Sequence, residues 1–134
     1  MDGAQELTEV EREVLLRILQ SSSFPGRDEL VAQVPGTRIA VGPVSFRDFV
    51  PDRSVAPSEC PDGPVPVRAL VEDAGGDPIG WILIWVEDGY LSALEFAWVT
   101  DDMPTLFPSP DSVRPIPPEA PHDPLDVVEE TKHG

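Results

Sequence analysis

The chain has 134 residues, a formal net charge of -16 and only nine basic residues, eight of them arginine. So acidic a chain repels nucleic-acid phosphate and anionic membrane surfaces, which argues against direct nucleic-acid or membrane binding and suits a protein partner with a basic surface, or no partner at all. Its length and 40% apolar content suit one domain with a working core, and the single cysteine, Cys60, excludes an intrachain disulfide.

The acidic, polar N-terminus (MDGAQELTEVERE) has no apolar signal core. The longest apolar run, Ile79 to Val86, is far shorter than the ~20 residues that span a bilayer. A cytoplasmic protein is the expectation. The first predicted element is a helix from about Glu9 to Gln20. Thr8 and Glu11 have capping-box spacing, and Val10, Val14 and Ile18, flanked by Leu15 and Leu19, form an apolar stripe. Ser21-Ser22-Ser23 and Pro25-Gly26 end it, and a short second helix over about Asp28 to Val34 closes at Pro35-Gly36.

Strands are predicted over Thr37–Val41 and Val44–Val50, split by Gly42-Pro43. Residues 51–66 hold five prolines and read as a loop, because proline cannot donate to a ladder. From Val65, the alternation of Val65, Val67, Ala69 and Val71 with Arg68 and Glu72 predicts a half-buried strand. Asp73 to Pro78 is a turn, and the continuous apolar run Ile79–Val86 predicts a central strand covered on both faces. Asp88-Gly89 is a preferred type I′ hairpin turn, with Tyr90–Val99 as the returning strand.

With Glu87 opposite Tyr90, strict alternation pairs Trp85 with Ser92, Leu83 with Leu94 and Trp81 with Phe96. One face then carries Trp81, Leu83, Trp85, Leu94, Phe96 and Trp98. The other carries Ile82, Ile84, Val86, Leu91, Ala93 and Ala97, with Glu95 among them. Both faces are apolar. The N-terminal helices can cover one, and the segment after Thr100, or a partner, must cover the other.

Residues 101–134 hold eight of the 17 prolines and eight acids against two basic residues, a composition that cannot offset its ordering entropy. Leu106, Phe107, Val113 and Ile116 can dock on the sheet, and disorder is expected over 117–134. Residues 1–100 carry seven basic and 17 acidic residues, or -10, so the folded part is acidic on its own.

His122 and His133 lie in that tail, so the predicted helices and strands hold no His-based catalytic pair and no zinc spacing. No cofactor is implied. Adjacent acids at Glu87-Asp88 and Asp101-Asp102 have the oxygen chemistry of a hard-cation site, but read more simply as a solvated rim. Glu95 projects from an apolar strand. Burial there would suit acid–base chemistry, and the plainer reading pairs it with an arginine or with solvent. The aromatics Trp81, Trp85, Tyr90, Phe96 and Trp98 are either core under the helices or an anchor for a protein partner. An acidic recognition surface is expected at the hairpin ends, from Glu87, Asp88, Tyr90, Asp101 and Asp102, with Glu95 and Trp98 beside it.

The stretch from Trp81 to Pro115 (WILIWVEDGYLSALEFAWVTDDMPTLFPSPDSVRP), with the L-T-x-x-E-R-E-V-L helix at Leu7–Leu15, resembles small acidic bacterial proteins. The resemblance implies an α+β fold and carries no catalytic residues. Immunity proteins of bacterial toxins share this size and charge by analogy alone.

The expected architecture is one α+β domain over 1–116, with two N-terminal helices on an antiparallel sheet of four to five strands, and a proline-rich acidic tail over 117–134. The expected function is non-catalytic protein binding, as an immunity- or inhibitor-type protein covering a basic site on its partner. Alternatives are a DNA mimic bound to a DNA-binding protein, a structural subunit of a larger assembly, and a small ligand-binding domain or enzyme using Glu95.

Overall fold

The computed structural model describes residues 4–100 and 107–116. Helix α1 spans Glu9–Leu19 and starts on a complete capping box. The Glu11 amide donates to Thr8 Oγ1 at 3.1 Å and the Thr8 amide donates to Glu11 Oε1 at 2.9 Å, which satisfies two amides the helix cannot. Helix α2 spans Arg27–Gln33 and runs into a 3₁₀ turn at Val34–Gly36.

The strands are β1 (Ala4–Glu6), β2 (Arg38–Ala40), β3 (Phe46–Val50), β4 (Gly63–Pro64), β5 (Arg68–Glu72), β6 (Pro78–Glu87), β7 (Tyr90–Trp98) and β8 (Val113–Ile116). They form one antiparallel sheet in the order β1-β2-β3-β7-β6-β5-β8, with β4 pairing β6. The α+β class and the two helices stand as expected, but the sheet has eight strands where four to five were anticipated. The extra strands are two to four residues long, and β4 and β8 each contain a proline. They are too short to show an alternating pattern, and proline is tolerated at a sheet edge.

The β6–β7 hairpin turns on Asp88 (φ 54°) and Gly89 (φ 83°), the left-handed pair a type I′ turn requires. Glu87 pairs Tyr90 as expected, and Val86 pairs Leu91. Beyond that the expected register is corrected. Trp85 pairs Ala93 rather than Ser92, Leu83 pairs Glu95, and Ile82 pairs Phe96. Ser92 is the extra residue of a β-bulge, and one extra residue moves every later side chain of β7 to the opposite face.

The faces are reassigned accordingly. Ile82, Ile84 and Val86 share a face with Leu91, Leu94 and Phe96, and these pack with Val14, Leu15, Ile18 and Leu19 of α1 and with Leu30 and Val34. All are buried, and each such side chain contributes about 1.5–3 kcal/mol relative to exposure. Trp98 also packs against this core. The opposite face carries Trp81, Leu83 and Trp85 with Ala93, Glu95 and Ala97. Glu95 therefore leaves the Ile82–Ile84 face, and Leu94, Phe96 and Trp98 leave the tryptophan face.

Two polar links tie the helix layer to the sheet. Arg47 of β3 pairs with Glu11 of α1 at 2.7 Å, with both side chains largely buried, and its Nε donates to Ala40 O at 2.8 Å. Gln33, at the end of α2, is buried to 1% exposure. Its Nε2 donates to Gly89 O at 2.8 Å and Ala56 O at 3.2 Å, while its Oε1 accepts from the Leu91 amide at 3.0 Å.

Candidate functional site

Neither helix lies on the tryptophan face, and the face is chemically uneven. Toward β5, Leu70 and Trp81 are buried, and the Arg68 guanidinium lies 5.0 Å from the Trp81 ring centre. Toward β3, Leu83, Trp85 and Ala97 are half-buried and Phe46 is 47% exposed. Phe46 pairs Glu95 across the β3–β7 ladder, so both project from this same face. The Trp85 indole donates to Glu95 Oε1 at 3.0 Å. An indole N–H, rather than an arginine or solvent alone, is thus the partner that holds this carboxylate on the apolar strand.

Asp48 and Glu87 border the aromatics. Asp48 pairs Ala93, and Glu87 lies two residues beyond Trp85 on β6, so both side chains leave the sheet on the tryptophan side. Both residues are exposed, and neither side chain has a hydrogen-bond or ion-pair partner among the described residues.

A cleft of about 340 Å³ opens between them. It arises where β3 leaves β7. Asp48 is the last β3 residue paired with β7, whereas Phe49 and Val50 pair with Ile39 and Arg38 of β2. The Ser92 bulge bends β7 at the same level. Asp48, Arg53, Glu87, Tyr90 and Ser92 are among its walls. The Tyr90 hydroxyl donates to Val55 O at 2.9 Å, and the Arg53 guanidinium sits 4.9 Å from the ring centre, fixing the aromatic wall.

The residues singled out from the sequence are only partly brought together. Glu87 and Tyr90 meet in the cleft. Asp88 is beside them at the turn, where its amide donates to Asp62 Oδ1 at 2.9 Å. Glu95 lies further along the same face. Trp98 ends β7 roughly 27 Å from Tyr90, at about 3.4 Å per residue, and on the helix side. Asp101 and Asp102 lie outside the described residues. Sequence reasoning missed Asp48, Arg53 and Ser92, whose proximity depends on β3 lying beside β7.

Among the described residues, no three His, Cys, Asp or Glu side chains form a group that could hold a metal ion. None of the described helices is long and apolar enough to cross a membrane. Cys60 is a buried free thiol, and burial pushes its pKa up. Comparison of the chain with protein-family models, with curated proteins and with solved structures finds no match. The functional reading therefore rests on the geometry of the chain itself.

Proposed function

We propose that this chain is a non-catalytic protein-binding domain, an acidic immunity- or inhibitor-type protein that covers a basic site on a partner protein in the cytoplasm. The observation that carries the reading is the sheet face opposite the helices. It presents Phe46, Leu83 and Trp85 beside the carboxylates of Asp48, Glu87 and Glu95. Partly exposed aromatics supply desolvatable anchor area, and acids around them steer a basic partner and fix its orientation. The net charge of -16 adds a long-range attraction that salt screens.

The test is capture of partners from native lysate by the full chain and by Phe46→Ala, at low and at high salt. The expected result is a stoichiometric basic protein, retained at low salt, released at high salt and held about tenfold less well by the variant, equivalent to about 1.4 kcal/mol. Retention indifferent to Phe46 and to salt would overturn the reading. A DNA-binding protein displaced by duplex DNA would select the DNA-mimic alternative.

A further inference from the structure

We infer that the cleft at the β3–β7 fork is the seat of an arginine side chain of the protein partner, with Asp48 and Glu87 as its carboxylate ligands. The inference rests on the protein-binding reading and names the chemistry its acidic end recognises.

β7 lies between β3 and β6, so Asp48 on β3 and Glu87 on β6 flank the β7 floor from its two sides. Their side chains leave the sheet in the same direction, and neither has a hydrogen-bond or ion-pair partner among the described residues. Tyr90 and Ser92 of β7 line the cleft between them. At about 340 Å³ the hollow is at the small end of ligand pockets, which run about 300–1,000 Å³, so it suits one long side chain rather than a cofactor.

Charge selects a cation, because two carboxylates face a single guanidinium, Arg53. Arg53 is itself committed to the Tyr90 ring at 4.9 Å. Geometry selects arginine over lysine. A guanidinium presents donors along two edges of a rigid plane and can engage carboxylates on both sides at once, whereas an ammonium is a strongly hydrated point charge. The cleft also borders the tryptophan face, since Trp85 is two residues from Glu87 and Ala93 pairs with Asp48. A partner that lays an apolar patch on Phe46 and Trp85 brings a neighbouring arginine to this position.

The test uses the ¹⁵N-labelled full chain titrated with N-acetyl-arginine methylamide, followed by amide chemical shifts. Shifts are expected to cluster on residues 48–53 and 87–92, with millimolar affinity, and to be at least tenfold weaker in the Asp48→Asn/Glu87→Gln variant. Both positions are exposed, so that variant should keep its fold, and its own spectrum reports whether it does. Arg53→Gln provides a second arm. Removing the resident cation should tighten arginine binding several-fold.

Besides a failure to bind arginine at all, three results would overturn the inference. One is equal or stronger binding of N-acetyl-lysine methylamide. Another is shifts spread over every acidic surface. The third is loss of binding in Arg53→Gln with a response to acetate, which would make the cleft an anion site. A cleft that ignores arginine while Phe46-dependent capture persists would sink this inference and leave the protein-binding reading standing. Loss of Phe46-dependent capture would remove that reading itself.

Discussion

Gln33 is the residue whose replacement most directly tests how the helix layer supports the hairpin. Gln33→Leu keeps approximate volume and removes three hydrogen bonds, and the loss is unequal among the partners. Gly89 O retains a second donor, the Ser58 amide at 2.7 Å. Ala56 is exposed, so its carbonyl can take water instead. The Leu91 amide has neither recourse, because Leu91 is fully buried and Gln33 Oε1 is its acceptor. An orphaned buried N–H costs about 1–3 kcal/mol, and the displaced carbonyl bonds add roughly another 1 kcal/mol. The net expectation is a loss of about 2–4 kcal/mol, or roughly 8–16 °C in Tm for a domain of this size. The measurement is thermal and urea unfolding, with an unchanged m value, together with faster hydrogen exchange at the Leu91 amide. A Tm within 2 °C of wild type would refute the reasoning. Gln33→Glu sharpens it. One carboxylate oxygen can still accept from Leu91, but the other faces the carbonyls of Gly89 and Ala56. The folded state then favours the protonated acid, which raises its pKa above the unfolded value. That variant should therefore gain stability as pH falls and lose it as pH rises through the raised pKa.

Arg47→Met leaves Glu11 buried without its cation and should cost about 3–5 kcal/mol. Adding Glu11→Gln, which can still cap Thr8, should recover much of that loss, as a double-mutant cycle in urea would measure. Gly89→Ala sets a Cβ 2.7 Å from Ser58 O at a φ of +83°, and should lower stability by more than about 2 kcal/mol in the same assay. The Cys60 thiol, its pKa raised by burial, should resist iodoacetamide at pH 8 until the chain is unfolded. Because the folded state holds that proton more tightly, the contribution of Cys60 to stability should decline as pH rises through the unfolded and then the folded thiol pKa, visible in Tm above pH 8. Asp48→Asn/Glu87→Gln should leave Tm unchanged or slightly raised at low salt, and a drop of more than 3 °C would make these acids structural.

Much of the hairpin was legible because its signals are local. The capping box at Thr8 and Glu11 and the Asp88-Gly89 turn formed where the residues demanded. The register after the turn was misread, although a signal was present. Leu91 and Leu94 are three apart, and both can face the core only if one residue between them is extra. Strict alternation kept Leu91 with Ile82, Ile84 and Val86 but counted Ser92 as an ordinary ladder residue, and so sent Leu94, Phe96 and Trp98 to the tryptophan face and Glu95 to the core face. Strands β1, β4 and β8 were invisible because two to four residues carry no period, and their pairing is imposed by the neighbours they complete. Gln33 read as an ordinary polar helix residue, since its three partners are 23 to 58 residues away in sequence. The cleft was hidden for the same reason. Asp48 and Glu87 are brought together by β3 lying beside β7, a long-range fact that neither local segment encodes.

The two sheet faces treat charge in opposite ways, and the contrast bears on what the chain is for. On the helix side each buried polar group is matched. Glu11 meets Arg47 and Thr8, and Gln33 meets three backbone groups. No buried side-chain nitrogen or oxygen among the described residues lacks a partner. On the tryptophan side Glu95 has an indole donor, whereas the Asp48 and Glu87 side chains have no partner among the described residues and lie in a chain that already repels itself. Fold stability does not account for placing them there, because unpaired like charges oppose the compact state. On the proposed protein-binding reading, a helix-backed sheet that holds such carboxylates beside the exposed Phe46 and half-buried Trp85 would need few of its groups ordered when a partner arrives. On that reading the matched side would supply the rigidity and the unmatched side the attraction.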